Sequence, residues 1–358
     1  MKVGCGTEIM VHVRDEWLEQ VKTCPVCNSH ERSLLATGLT DLNYRVVGGR
    51  WSFVRCNECR TGYLTPRIDA RHIGLAYGRY ETHEPPANRA RARGLRGLLQ
   101  RARDAYLARR YGLDTNERSQ LLALLMYLLP PPLRQEWDFQ MRHATAGSGC
   151  SVLDVGCGNG DFLQRMRRAG WTVRGIDSDA QAVAVARAQG VDVMLGSLQD
   201  DSHASNLYDL VTASHVIEHV HDPAAFIAQL YDRVAPGGKL WICTPNVDSP
   251  VRAFEGRWWD KWEVPRHLYL FSKASLRQLI ESTLGRTTRF RRRGWHIQWA
   301  IAQSERLRAH GVREGKPALR WWHVLLAGAL ECAAWVDPRF GDELVVEVHK
   351  PAGQDVQP

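Results

Sequence analysis

Residues 152 to 162, Val-Leu-Asp-Val-Gly-Cys-Gly-Asn-Gly-Asp-Phe, constrain this chain more than any other stretch. Val152 to Val155 form a short apolar strand pattern, Gly156, Gly158 and Gly160 follow, and Phe162, Leu163 and Met166 then recur at helical spacing. That order predicts a strand, a glycine turn and a helix start within an α/β fold. Missing side chains let the backbone approach a ligand, and the free N–H groups of a helix start favour a carboxylate or phosphate. A glycine turn also serves simply as a tight turn, so the ligand has to be read from the residues around it.

A dinucleotide fingerprint would place its third glycine at 161, where this chain has Asp161. The next strand, Trp171 to Ile176, ends in Asp177, about twenty residues past the first glycine, where an acidic group accepts both hydroxyls of a ribose. Asp154, just before the glycines, is placed to meet an ammonium. A ligand with a ribose and an amino acid but no phosphate is S-adenosylmethionine.

Further stations follow in order: Gly196-Ser197-Leu198 after strand three, Tyr208 to Val220 (Tyr-Asp-Leu-Val-Thr-Ala-Ser-His-Val-Ile-Glu-His-Val), Asp222-Pro223 opening a helix to Val234, and Pro236-Gly237-Gly238-Lys239 before strand five. From about residue 150 to 350 the chain resembles class I S-adenosylmethionine-dependent methyltransferases. The resemblance implies an α/β fold with a Rossmann-like seven-stranded sheet. It also implies a cofactor site made by Asp154, Gly156, Cys157, Gly158, Gly160, Asp177, Ser178, Ser197, Leu198 and Ser214.

The chain has 358 residues, enough for two domains, and 44% hydrophobic content permits an ordinary packed core. The first residues carry no apolar run or cleavage-site pattern, and no stretch reaches the length of a spanning helix, which predicts a cytoplasmic protein, peripheral to the membrane at most. The net charge of +8 is uneven: eight arginines against one Asp lie between Arg89 and Arg110, and five more between Arg286 and Arg293. Such clusters favour acidic partners (nucleic acid, a sugar phosphate or nucleotide, an anionic membrane surface), or they form a solvated helix face.

Cys24-Pro-Val-Cys27 and Cys56-Asn-Glu-Cys59, 28 residues apart, are two CxxC knuckles of the kind that hold one structural zinc through four thiolates. Tyr44 to Val47 and Trp51 to Arg55 alternate around Gly48-Gly49 and predict the hairpin that returns the second knuckle to the first. A redox role suits one CxxC at a helix start better than two pairs. The other five cysteines, Cys5, Cys150, Cys157, Cys243 and Cys332, read as reduced thiols.

These signals divide the chain into a four-cysteine, zinc-ribbon-like module at 20–66, a basic helical linker at 67–149 and the methyltransferase-like domain at 150–352. In the linker, Leu95, Leu98, Leu99, Ala102 and Tyr106 predict an amphipathic helix, and Leu121 to Leu129 a buried one rather than a membrane contact. Pro130-Pro131-Pro132 and Ala-Gly-Ser-Gly at 146–149 mark breaks. Within the third segment, 249–271 is rich in tryptophan and faces the substrate, and 296–337 reads as a helical insertion.

Methyl transfer from a sulfonium is an in-line displacement, so the protein aligns the reactants and often removes a proton. Ser214, His215, Glu218 and His219 follow strand four, where open α/β sheets place their chemistry, and on one helical turn they would form a proton relay or a metal site. His267, in Val264-Pro265-Arg266-His267-Leu268, is the candidate from the substrate segment, so His215, Glu218, His219 and His267 are the catalytic candidates at one face of an acceptor pocket. Each of them also has a plain reading, as a helix cap or a packed loop histidine. Ubiquinone-biosynthesis O-methyltransferases and small-RNA 2'-O-methyltransferases hold a divalent ion with a Glu-x-x-Glu-His pattern. This chain has His215 where that pattern opens with Glu, and magnesium prefers oxygen ligands, which argues against magnesium.

The layout as a whole is similar to bacterial zinc-ribbon methyltransferases, and deoxysugar C-methyltransferases share its general order. The resemblance implies a small-molecule or glycan acceptor. An RNA methyltransferase is the alternative, because a four-cysteine module in front of such a domain also resembles ribosomal RNA guanine methyltransferases. A third reading is a non-catalytic zinc-dependent scaffold.

Overall fold

The computed structural model describes residues 10–78, 94–115, 119–128, 131–144, 149–201, 205–313, 315 and 317–353, without the side chains at 95, 96, 132, 133 and 338. Cys5, Tyr80, Arg89, Arg91, Arg93, Leu129-Pro130 and the 146–148 break lie outside the described residues, as do the side chains of Leu95 and Arg96.

The N-terminal third holds β1 (Leu18–Glu19), β2 (Arg32–Leu39), β3 (Trp51–Cys56), β4 (Gly62–Leu64), β5 (Arg67–Ile68), α1 (Gly94–Tyr111), α2 (Gln120–Leu125) and α3 (Pro131–Gln140). There follow β6 (Ser151–Val155), α4 (Asp161–Arg168), β7 (Thr172–Asp177), α5 (Ala180–Ala188), β8 (Val193–Leu195), β9 (Tyr208–Ser214), α6 (Pro223–Asp232) and β10 (Val234–Pro245). The last elements are α7 (Pro250–Glu255), β11 (Tyr269–Leu270), α8 (Lys273–Leu284), β12 (Arg289–Arg291), α9 (Ile297–His310), α10 (Trp321–Val336) and β13 (Glu343–His349).

A seven-stranded sheet runs β12-β13-β10-β9-β6-β7-β8, parallel except for β13, which is antiparallel to both its neighbours. Val152, Leu153, Val155, Leu210, Val211, Ala213, Leu240 and Ile242 are all buried, the near-continuous apolar runs that parallel strands covered on both faces require. The first strand, β6, lies between β7 and β9, so the chain leaves it in one direction and returns on the other side. That switch opens a crevice at the carboxyl ends of β6 and β9, where open α/β sheets bind ligands.

A second sheet, β11-β4-β3-β2, joins the four-cysteine segment to the segment after β10. Tyr269 and Leu270 of β11 pair with Tyr63 and Gly62 of β4, and the Phe53 and Trp262 rings lie 5.4 Å apart. Arg266 and Asp41 form an ion pair with both side chains fully buried. Separating such a pair costs about 3–5 kcal/mol because one charge is left unpaired in the interior.

Three expectations change. The partner of β3 is β2, through Arg32↔Cys56 to Leu39↔Trp51, and Tyr44 to Val47 form a turn with one isolated bridge at Val47. Asp41 draws that loop inward by accepting the N–H groups of Tyr44, Val46 and Val47, which removes it from the ladder. The Leu121 to Leu128 run is mostly exposed, with Leu121 69% and Leu128 80% accessible and only Ala123 and Met126 buried. In α1 the buried face is Ala102, Ala105, Tyr106 and Leu107, while Leu98 and Leu99 are exposed.

At the start of α9, Glu331 of α10 accepts the N–H groups of His296 (2.9 Å) and Ile297 (3.1 Å), serving as a cap brought in from another helix. Burial pushes its carboxyl up from 4.5 to about 7, against the opposing pull of those two N–H groups. A raised folded-state pKa means stability that is complete below about pH 4.5 and is lost as pH rises through about 7. Glu331→Gln should therefore raise the thermal midpoint at pH 8 and change it little at pH 4.5. Equal shifts at both pH values in a calorimetric scan would contradict this account.

Candidate active site

The glycine loop leaves β6 with Gly156, Gly158 and Gly160 at φ +72°, +53° and +77°, left-handed values that side chains rarely adopt. A Cβ on Gly156 would stand 2.4 Å from Val216 Cγ2, so the turn after β9 packs directly on the loop. Gly156 and Cys157 donate their N–H groups to Ile176 O at 2.8 and 3.2 Å. Gly158 N–H donates to Asp177 Oδ2 at 2.7 Å and Asp179 N–H to Asp177 Oδ1 at 2.9 Å, which ties the loop to the end of β7. Burial raises the Asp177 carboxyl, and these backbone donors partly offset it.

Asp154 is almost fully buried at the end of β6 and accepts Thr212 Oγ1 at 2.6 Å. Burial pushes its carboxyl up to about 6, against the opposing pull of the nearby Arg142 guanidinium. Arg142 carried no sequence signal, because it follows α3 in a segment without a motif. It adopts φ +49°, lies 4.5 Å from the Trp241 ring and 4.9 Å from that of Phe162, and donates to Ser214 Oγ at 3.0 Å. Of the other expected cofactor residues, Ser178 is exposed beside Asp177, Ser197 is engaged with Asp200, and the Leu198 side chain packs in the core.

Residues 215–219 form a turn, not a helix, and His215 reverses the chain at φ +56°. The expected relay is therefore split into two halves that meet at the buried Glu218. On one side, His215 places Nδ1 3.2 Å from Glu218 Oε1 and Nε2 3.2 Å from Glu343 Oε1, with Cys243 beside it. Burial opposes a charge there, but Glu343, Cys243 and the hydrogen bond to Glu218 outweigh it and hold the imidazole pKa well above its usual value. On the other side, Glu218, His219 and His267 bring one ligand atom each within 4.8 Å of one another.

His267 Nδ1 faces Lys261 O at 2.8 Å, and His219 Nδ1 faces Arg266 O at 3.1 Å and Tyr77 Oη at 3.0 Å. A carbonyl oxygen only accepts, so both rings carry hydrogen on Nδ1 and a lone pair on Nε2, a tautomer assigned from the network. Burial, then the His219 ring, lowers His267 well below the ordinary value, despite Glu218 nearby. Imidazole N–H groups tied to backbone carbonyls, with a carboxylate completing the set, are a donor arrangement that suits zinc or iron better than magnesium.

None of the four expected catalytic residues lines the cavity between α3, α9 and β13, which differs from the single pocket face expected. That cavity, about 620 Å³, is walled by Trp137, Trp295, Trp299, Lys261, Arg293 and Glu343 among others. It meets the His215 half of the relay through Glu343, on a strand a hundred residues past Cys243 for which no local motif exists, and the His267 half through Lys261, whose carbonyl faces His267 Nδ1. Its charges are largely paired: Arg293 Nε lies 2.6 Å from Glu343, its Nη1 contacts Glu136, and Lys261 lies 3.5 Å from Asp260.

Cys24, Cys27, Cys56 and Cys59 bring their sulfurs within 4.8 Å of one another, with Cys24–Cys59 at 3.4 Å and Cys27–Cys56 at 3.5 Å. Tetrahedral thiolates at zinc stand about 3.8 Å apart, since Zn–S is about 2.3 Å, so the cluster fits that ion. The other described cysteines are free thiols. No described helix is long and apolar enough to cross a membrane.

The family model of a methyltransferase domain matches residues 91–283. The ubiquinone biosynthesis O-methyltransferase of Aeromonas salmonicida is 35% identical over 122 residues, 32% of this chain and 50% of that protein. The protein of the same name from Thiobacillus denitrificans is 39% identical over 125 residues, 33% of this chain and 53% of that protein. The match thus spans about half the length of these relatives. A SAM-dependent methyltransferase structure from Archaeoglobus fulgidus aligns at a TM-score of 0.42 and 15% identity, over 61% of this chain and 93% of that one.

Proposed function

Since the chain belongs to the methyltransferase-domain family, we propose that it moves the methyl group of S-adenosylmethionine onto a hydroxyl-bearing small molecule, with a saccharide as the acceptor class. The observation that carries this reading is the pair of carboxylates Asp154 and Asp177 at the ends of adjacent strands, bracketing the positive-φ glycine loop, with the Arg142 guanidinium close by. In this reading Asp177 takes the ribose hydroxyls, Asp154 the ammonium and Arg142 the carboxylate of the methionine moiety. The cofactor supplies a methyl group made electrophilic by its sulfonium. The chain aligns the acceptor and takes up its proton.

The cavity supports a saccharide. Its paired ions still offer hydrogen-bond donors and acceptors to hydroxyl groups, which both give and take, while its tryptophans offer faces for sugar C–H groups. An anionic ligand would have to break those pairs. The Glu343 carboxylate is the group that takes up the proton leaving the acceptor, and His215, held as the imidazolium, bridges Glu343 and Glu218, with the His219–His267 pair next to Glu218. The four cysteines are read as a structural zinc site.

The RNA reading is weakened by the second arginine cluster, where Arg291 pairs with Glu347, Arg293 with Glu343, and Arg292 donates to Trp335 O. A scaffold without activity gives no reason to bury Asp154 beside a charged Arg142. The exposed leucines of α2 support contact with an anionic membrane surface as a reading of that region alone.

Transfer of a labelled methyl group to methyl α-D-glucopyranoside, UDP-glucose, 3,4-dihydroxybenzoate and a ribosomal RNA fragment tests the acceptor class. Label is expected in a saccharide probe, with Trp299→Ala lowering kcat/KM about tenfold. Label in RNA alone would move the assignment to the nucleic acid. Absence of S-adenosylmethionine binding by calorimetry would end the reading altogether.

A further inference from the structure

We propose that Asp41 and Tyr77, both from the segment that precedes the methyltransferase sheet, are positioning residues for the His219–His267 pair, so that the four-cysteine region is part of the catalytic centre. The proposal rests on the reading that this pair serves methyl transfer.

Tyr77 lies nine residues past β5, the short strand that follows the four-cysteine sheet. Its hydroxyl reaches His219 Nδ1 at 3.0 Å, and the two rings meet edge to face at 6.0 Å. The second oxygen on that Nδ1 is the carbonyl of Arg266, so whatever fixes Arg266 also fixes His219. Asp41, two residues past β2, does this: its carboxylate clamps the Arg266 guanidinium through Nη1 at 3.3 Å and through Nη2. Arg266 Nη1 also donates to Ala76 O at 2.7 Å, next to Tyr77, and the guanidinium lies 4.3 Å from the Tyr44 ring. His267 follows Arg266 directly, and Asn43 Nδ2 donates to Asp260 O at 2.9 Å, beside Lys261, whose carbonyl holds His267 Nδ1.

The N-terminal segment therefore reaches the atoms that set both tautomers, which is more than a packing contact would do. With Nδ1–H committed to carbonyls the lone pairs are left on Nε2; the two rings meet edge to face at 4.7 Å, and His267 Nε2 stands 3.7 Å from Glu263 Oε2. Released from these anchors, either ring gains nothing from keeping hydrogen on Nδ1, and both tautomers populate.

Long-range proton–nitrogen correlation spectra of the full chain read the tautomers without any acceptor, and calorimetric titration with S-adenosylhomocysteine monitors the fold of the other site. Wild type should show hydrogen on Nδ1 and a lone pair on Nε2 in both rings. Asp41→Asn should average both rings between tautomers, whereas Tyr77→Phe, which leaves the Arg266 carbonyl in place, should raise the Nε2–H fraction of His219 only, with S-adenosylhomocysteine affinity within about twofold in each, a change under about 0.4 kcal/mol. Wild-type tautomers in both variants would overturn the proposal. If Asp41→Asn does not fold, Tyr77→Phe decides alone, because it removes a single oxygen: an unchanged His219 tautomer population overturns the proposal and a raised Nε2–H fraction supports it. Wild type that fails to bind S-adenosylhomocysteine would instead defeat the methyl-transfer reading, while the tautomers still report on the positioning.

Discussion

Cys56→Ser should lower the thermal midpoint of the whole chain by about 10 °C or more, and the purified wild type should carry about one zinc. Structural zinc in small domains contributes about 10 kcal/mol or more of apparent folding free energy, and even half of that exceeds most side-chain effects in a chain this size. The loss should not stay within the cysteine segment. Phe53 packs on Trp262, β4 pairs with β11, and Asp41 holds Arg266, so unfolding the front sheet exposes the 259–271 segment and strands a buried guanidinium. Heating in the presence of chelator should accordingly give one transition at lower temperature. Two separate transitions would mean that the segments unfold independently, and metal analysis finding no zinc in protein prepared without chelator would remove the site itself.

What the sequence disclosed and what it hid divide along chain distance. The glycine loop, Asp154 and Asp177 lie within a single strand-turn-helix-strand unit, and local spacing places them because strand and helix geometry carry the arithmetic over about twenty residues. The four cysteines are likewise fixed by their own spacing, although the strand that returns them is β2 and not the nearer Tyr44 to Val47. That segment alternates correctly, yet the Asp41 carboxylate competes for its N–H groups, and a buried charge with three donors outweighs a ladder.

Arg142 and Glu343 were illegible for a different reason. Arg142 follows a helix and Glu343 opens a strand whose own patterns are ordinary, and each meets the candidate site only where the fold brings it against Ser214 or His215 at the end of β9. The split of His215 from His219 was also hidden. Helical spacing assumes a helix, but a residue at φ +56° turns the chain so that His215 and His219 flank Glu218 from opposite sides. The Leu121 to Leu128 run failed as a core signal because apolarity marks a surface that benefits from cover and does not say that the described chain supplies it.

Asp177→Ala should weaken S-adenosylmethionine binding at least tenfold, about 1.4 to 3 kcal/mol, for two reasons that act together. The carboxylate would lose two charge-assisted hydrogen bonds from the ribose. It also accepts Gly158 N–H at 2.7 Å and Asp179 N–H at 2.9 Å, so its removal frees the middle of the glycine loop from the end of β7. Gly156 and Cys157 still donate to Ile176 O, so the loosening is confined to the stretch around Gly158, which cofactor binding would then have to order again. The two contributions can be separated. Asp179→Ala removes the cap of α5, whose side chain accepts Gln181 and Ala182 N–H, and costs about 1 kcal/mol of stability without touching the carboxylate that faces the ribose. Its affinity for the cofactor should therefore stay near wild type while its melting point falls, whereas Asp177→Ala should show the reverse weighting. Calorimetric titration that finds Asp177→Ala within twofold of wild type would reject Asp177 as the ribose acceptor, and with it the placement of the nucleoside at the end of β7.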